Sequence, residues 1–131
     1  MYAIYHNPRC RKSRETLQLL CEGLGFENTD AAVASGNLEV VLYLESPPSE
    51  AELKELAALL DMHPIEFTRT KESVFKELGI DKKTVSPEAM IQHMANNPIL
   101  IERPIVVKKD TQNVPEKAVL GRPPENVLAF F

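Results

Sequence analysis

From residue 2 to residue 44 the chain passes from a β-favouring apolar segment, through a helical repeat, into a second β-favouring segment. This succession constrains the fold more than any other feature. Residues 2–5 (YAIY) are short and apolar, and the turn-forming Asn7-Pro8 pair interrupts them. Leu17, Leu20, Cys21 and Leu24 then recur at i, i+3, i+4 and i+7, which predicts a helix over about 11–22, stopped by Gly23 and Gly25. Segment 27–37 is polar and rich in small residues, and reads as a loop with one helical turn around 30–34. Residues 38–44 (LEVVLYL) are largely apolar, which predicts a strand buried on both faces. Strand, helix and strand in this order require a right-handed crossover and a parallel pair.

Pro47-Pro48 closes the second strand. Ser49 with Glu52 forms a capping-box signature, and Leu53, Leu56, Leu59 and Leu60 give the following helix an apolar face. Two more helices are expected, over 71–78 (stopped by Gly79) and over 87–96, the latter with Ser86 as N-cap and Pro87 at its first position. Short strands at 105–107 and 117–120, joined by the polar connection 108–116, predict a hairpin, and Pro123-Pro124 opens a last helical stretch to Phe131. The order amounts to an α/β fold in one domain, 1–131. A mixed four-stranded sheet is flanked by helices, and a helical insertion of about 49–97 lies between the second and third strands.

Composition narrows the function. Fifteen basic residues against nineteen acidic ones leave a net charge of −4, which argues against a nucleic-acid partner. No apolar run approaches the length of a membrane span, and the N-terminus lacks the basic-then-apolar pattern of a secretory signal. The two cysteines, Cys10 and Cys21, are expected as thiols in a cytoplasmic protein. No Cys/His spacing indicates zinc, and no metal is expected.

Cys10 falls where the first strand gives way to the first helix, within His6-Asn7-Pro8-Arg9-Cys10-Arg11-Lys12-Ser13-Arg14. A helix N-terminus presents unpaired N–H groups and partial positive charge, both of which stabilise a thiolate. Arg9, Arg11, Lys12 and Arg14 are expected to act in the same direction. The phosphatase pattern C-x5-R fails, because the sixth residue after Cys10 is Thr16. Ser13 occupies the second position of a C-x-x-S pair, so there is no dithiol there. Cys21 belongs to the apolar stripe and reads as a core residue, while His63 and His93 read as surface residues of the insertion.

Five segments in order carry a resemblance over nearly the full chain: HNPRCRKSRETL at 6–17, YLESPPSEAEL at 43–53, FTRTKESVFKELGI at 67–80, NPILIERPIVV at 97–107 and LGRPPENVL at 120–128. The chain resembles the glutaredoxin-dependent arsenate reductases, within the wider group that includes Spx-type regulators. The resemblance implies a thioredoxin-like fold, with Cys10 as the nucleophile that attacks arsenate. It assigns Arg69, Arg103 and Arg122 to the oxyanion, and His6 and Ser13 to the tuning of the cysteine. Pro104 matches the position where such folds place a cis-proline beside the cysteine. The implied partners are glutaredoxin and arsenate, with glutathione as co-substrate, no bound cofactor, and a monomeric chain. Arg11-Lys12 departs from the small uncharged residues usual after this cysteine.

Three functions are compatible with these features. The first is arsenate reduction with glutathione and glutaredoxin. The second is a glutathione-linked thiol oxidoreductase using the same site. The third is an Spx-type transcription regulator, which the missing second thiol of C-x-x-C and the three retained arginines disfavour.

Overall fold

A computed structural model describes every residue, Met1–Phe131. The chain forms two compact units, the first made of Met1–Tyr43 and Arg103–Phe131, the second of Leu44–Glu102.

The first unit is built on a four-stranded mixed sheet of order β2-β1-β3-β4, with β1 at Tyr2–Tyr5, β2 at Leu38–Val41, β3 at Ile105–Lys109 and β4 at Pro115–Leu120. β1 runs parallel to β2 and antiparallel to β3, and β3 and β4 form the expected hairpin. Helix α1 (Arg11–Gly23) and the short α2 (Thr29–Ala34) make the crossover between the parallel strands. Because side chains alternate along a strand, Tyr2 and Ile4 share a face with Val106, which pairs with Ile4 on β3. That face and the Leu17, Leu20, Cys21 stripe of α1 form one core cluster, joined by Ala32, Leu38 and Val127. The helical period read from the sequence is therefore the buried period.

The second strand departs from expectation. β2 ends at Val41, and it is an edge strand with Leu38 buried, Glu39 exposed and Val40 and Val41 half-buried. The apolar run to Leu44 mimicked a doubly buried strand because Tyr43, just beyond the pairing, is itself a core residue. A 3-10 helix, Pro124–Phe130, closes the unit against α1, with Val127 fully buried and the Phe130 ring edge-on to Tyr2 at 5.3 Å.

The second unit holds α3 (Glu50–Leu60), α4 (Ser73–Glu77) and α5 (Pro87–Asn96). Both expected caps form: Ser49 Oγ accepts the Glu52 N–H at 3.1 Å with Glu52 returning to the Ser49 N–H, and Ser86 Oγ accepts the Ala89 N–H at 3.1 Å. Leu53, Leu56, Phe67, Phe75, Met90 and Met94 are buried. α4 is shorter than the predicted 71–78, because Lys71 and Glu72 lie in the approach to it. His63 is not a plain surface residue. It caps a 3-10 turn at Pro64–Phe67, its Nδ1 accepting the Ile65 N–H at 3.0 Å. No helix of the chain is long and apolar enough to cross a membrane.

Candidate active site

β1 stops at Tyr5, and a tight loop delivers Cys10 to the N-cap of α1 in extended conformation. The thiol is half-buried. Burial pushes its pKa up, but the Ser13 N–H, the charge and hydrogen bonding of Arg103, and the Lys12 N–H together outweigh that and leave it below the ordinary thiol value. A lowered pKa favours the thiolate, the form of a thiol that acts as a nucleophile.

The source of that activation differs from the sequence expectation. Arg11 and Lys12 turn to Glu15, at 3.0 and 3.8 Å, and Arg14 donates to the Pro8 carbonyl at 2.9 Å. Arg9, Arg11, Lys12 and Arg14 are all exposed, and none of their side chains figures among the groups lowering the thiol. Charges facing solvent are screened more strongly than a cation held partly buried against the sulfur. Arg103, 93 positions further along the sequence, takes the role expected of the local cluster.

Arg122 closes on the same sulfur. Its Nη1 lies 3.9 Å from Cys10 Sγ and donates to the Arg103 carbonyl at 3.3 Å. Arg103-Pro104 and Arg122-Pro123 are both cis, the first at the position the resemblance pointed to and the second without any sequence signal that we could read. On the other side of the loop, buried His6 places Nδ1 2.6 Å from Ser13 Oγ, which also accepts the Asn7 N–H at 3.1 Å. Burial, reinforced by the Arg14 charge, holds the His6 pKa below the ordinary histidine value. A neutral His6 and Ser13 therefore brace the loop that carries the thiol.

The first unit thus brings together Cys10, Arg103, Arg122, His6, Ser13 and Pro104. Arg69 belongs to the second unit, where its Nη1 pairs with Glu72 at 2.7 Å and its N–H donates to the Leu100 carbonyl at 2.7 Å. Two contributors escaped sequence reading. Asn126 Nδ2 donates to the Leu120 and Arg122 carbonyls, and Thr16 donates to the Gly121 carbonyl. Both act on backbone, which side-chain motifs do not report.

Cys21 is the contrasting thiol. It is buried in the α1 core, 3.8 Å from Thr29 Oγ1. Burial drives its pKa up, with Glu22 adding to the rise and the Thr29 contact opposing it. No group of three His, Cys, Asp or Glu residues in the chain is arranged to hold a metal ion.

Guanidinium groups set beside an activated thiol can hold a small oxyanion and present its central atom to sulfur. Comparison with known proteins agrees on the relationship. The protein named uncharacterized protein YfgD of Escherichia coli (strain K12) is 49% identical over 126 residues, covering 95% of this chain and 92% of that one. An arsenate reductase of Neisseria meningitidis serogroup A is 39% identical over 129 residues, covering 98% and 96%. The solved structure of the arsenate reductase from Vibrio cholerae superposes with a TM-score of 0.77 at 39% identity, covering 99% and 97% of the two chains. Since the ArsC family profile also matches residues 5–130, the chain belongs to the ArsC family, with its thioredoxin-like fold.

Proposed function

We propose that the protein is an arsenate reductase that draws its electrons from glutathione and glutaredoxin. The observation that carries this reading is the Cys10 thiol at the head of α1, lowered in pKa and flanked by Arg103 and Arg122. The Cys10 thiolate attacks the arsenic of dihydrogen arsenate, the sulfur–arsenic bond forms as one arsenic–hydroxyl bond breaks, and that hydroxyl leaves as water with the proton of the second hydroxyl. The two guanidiniums offset the repulsion between the anions and orient the remaining oxygens. Arg69 is the third arginine that we assign to the oxyanion, on its match to the family motif.

Glutathione then attacks Cys10 Sγ of the adduct. The sulfur–arsenic bonding pair stays on arsenic, which falls from As(V) to As(III) and leaves as arsenite, while the two sulfurs form a mixed disulfide. A glutaredoxin thiol attacks the glutathione sulfur and frees Cys10. An external thiol is needed because Ser13 has no sulfur to offer. Cys21 lies about 16 Å along the same helix at ~1.5 Å per residue, whereas a disulfide needs Cα atoms within about 7 Å. Such a cycle belongs in the reducing cytoplasm.

The test is arsenate-dependent NADPH oxidation coupled through glutathione reductase, glutathione and glutaredoxin. Mass spectrometry of a reaction stalled without glutaredoxin is expected to show one glutathione on the Cys10 peptide. A Cys10–Cys21 disulfide as the main product, or full turnover with thioredoxin and no glutathione, would refute the mechanism. Equal turnover of a glutathione mixed disulfide with arsenate omitted would favour a general thiol oxidoreductase.

A further inference from the structure

The two arginines at the thiol come from separate loops, one entering β3 and the other leaving β4, and a closed circuit of contacts ties both to α1. Thr16 is fully buried, and its Oγ1 donates to the Gly121 carbonyl at 3.1 Å, sharing the proton with the Lys12 carbonyl at 2.8 Å. Gly121 in turn donates its N–H to the Pro104 carbonyl at 2.9 Å. Pro104 follows Arg103, and Gly121 precedes Arg122. Arg122 completes the ring by reaching both the Arg103 carbonyl and Cys10 Sγ.

The junction is close-packed as well as hydrogen-bonded. A Cβ at position 121 would meet Thr16 Cγ2 at 2.7 Å, Pro104 Cγ at 2.8 Å and Thr16 Oγ1 at 2.9 Å, so the Thr16 and Pro104 side chains pack directly on the bare glycine. A threonine of a helix interior ordinarily satisfies its hydroxyl within its own helix. The Lys12 carbonyl already offers that partner here, which leaves the reach to Gly121 as an added tertiary contact. On the solvent side Asn126 holds the same turn through the Leu120 and Arg122 carbonyls.

We propose that Thr16 is a positioning residue, whose hydroxyl locks the Gly121 turn and the Arg103-Pro104 segment to α1 so that both guanidiniums stand at the Cys10 sulfur. Asn126 assists from outside the turn. Thr16 touches neither the sulfur nor any oxyanion held there; it acts by fixing where the positive charge sits. This inference rests on the reading of Cys10, Arg103 and Arg122 as the reacting site.

The experiment compares wild type with Thr16→Val, which keeps the shape and removes the hydroxyl, and Thr16→Ser, which keeps the hydroxyl. Alkylation of the Cys10 peptide is followed against pH, and the arsenate or phosphate concentration giving half-protection is measured. For Thr16→Val the alkylation profile is expected to move up by about one pH unit and protection to weaken about tenfold, the loss of one charge-positioning hydrogen bond. Thr16→Ser is expected to stay within about 1.5-fold of wild type. If Thr16→Val does not fold, the exposed Asn126→Ala serves instead, with an expected weakening of about threefold. A folded Thr16→Val, or Asn126→Ala in its place, with the wild-type profile and protection would overturn the positioning role while leaving the site intact. An ordinary thiol profile and no anion protection in the wild type would overturn the site itself, and with it the inference.

Discussion

Cys10 and Cys21 are two thiols of a single helical segment, and their surroundings drive them in opposite directions. Cys10 stands at the N-cap, where backbone N–H groups and Arg103 reach it, and its pKa is lowered. Cys21 lies three turns on, inside the apolar stripe, and burial raises its pKa. Burial opposes the charged form in both places; only at the helix start do fixed donors and a cation overcome it. A second contrast sits within the first. The cations nearest to Cys10 in sequence are exposed or turned to Glu15 and Pro8, while those that reach the sulfur come from the far end of the chain.

The sharpest way to break this comparison is to remove each thiol in turn. Cys10→Ser is expected to reduce arsenate-dependent turnover to background, and Cys21→Ser to leave most of it. Equal losses in the two variants, at matched folded fraction, would erase the distinction.

Next in size is the exchange of distant for local cations. Arg103→Ala is expected to raise the pH at which Cys10 alkylates and to weaken arsenate protection about tenfold to a hundredfold, as befits charge-assisted bonds of ~1.5–3 kcal/mol. Combined Arg9→Ala, Arg11→Ala and Lys12→Ala changes are expected to shift protection by about twofold at most. The reverse order would return the activation to the local cluster.

Stability separates the thiols in the opposite sense. Cys21→Ser places a hydroxyl in the α1 core and is expected to cost about 1–3 kcal/mol in denaturant unfolding. Cys10→Ser, at a half-exposed loop position, is expected to change stability by less than about 0.5 kcal/mol.

The smallest effect concerns His6. Its folded pKa is lowered, so on acidification the unfolded chain takes up the proton first. Stability is then complete above the ordinary histidine range and declines as pH falls through that range toward the lower folded value. Urea midpoints measured across this window are expected to fall with pH, and His6→Gln to flatten the slope. A slope unchanged in His6→Gln would assign the effect to other groups.

Much of the fold is legible in local pattern. The α1 stripe, the Ser49 and Ser86 caps and the β3–β4 hairpin each depend on residues close in sequence, and each stands where the period or the capping residue puts it. The end of β2 does not. LEVVLYL is apolar throughout its length, but a strand extends only as far as a partner pairs with it, and β1 pairs with Leu38–Val41 alone. The family motifs singled out Cys10, Arg69, Arg103 and Arg122, whereas proximity in sequence pointed to Arg9, Arg11, Lys12 and Arg14 as the cations lowering the thiol, a role that Arg103 takes. Side-chain direction, and not sequence distance, decides whether a charge meets a thiol or water.

By itself the sequence determined the place of the Cys10 thiol at a helix start and the α/β order around it, because these follow from residue type and short-range periodicity. The tertiary structure alone decided which positive charges the thiol feels. Thr16, Gly121 and Asn126 hold backbone groups far apart in the chain, and no pattern along the sequence records such contacts. Coulombic influence depends on distance and screening in space, and both exist only once the sheet has brought Arg103 back to the end of β1.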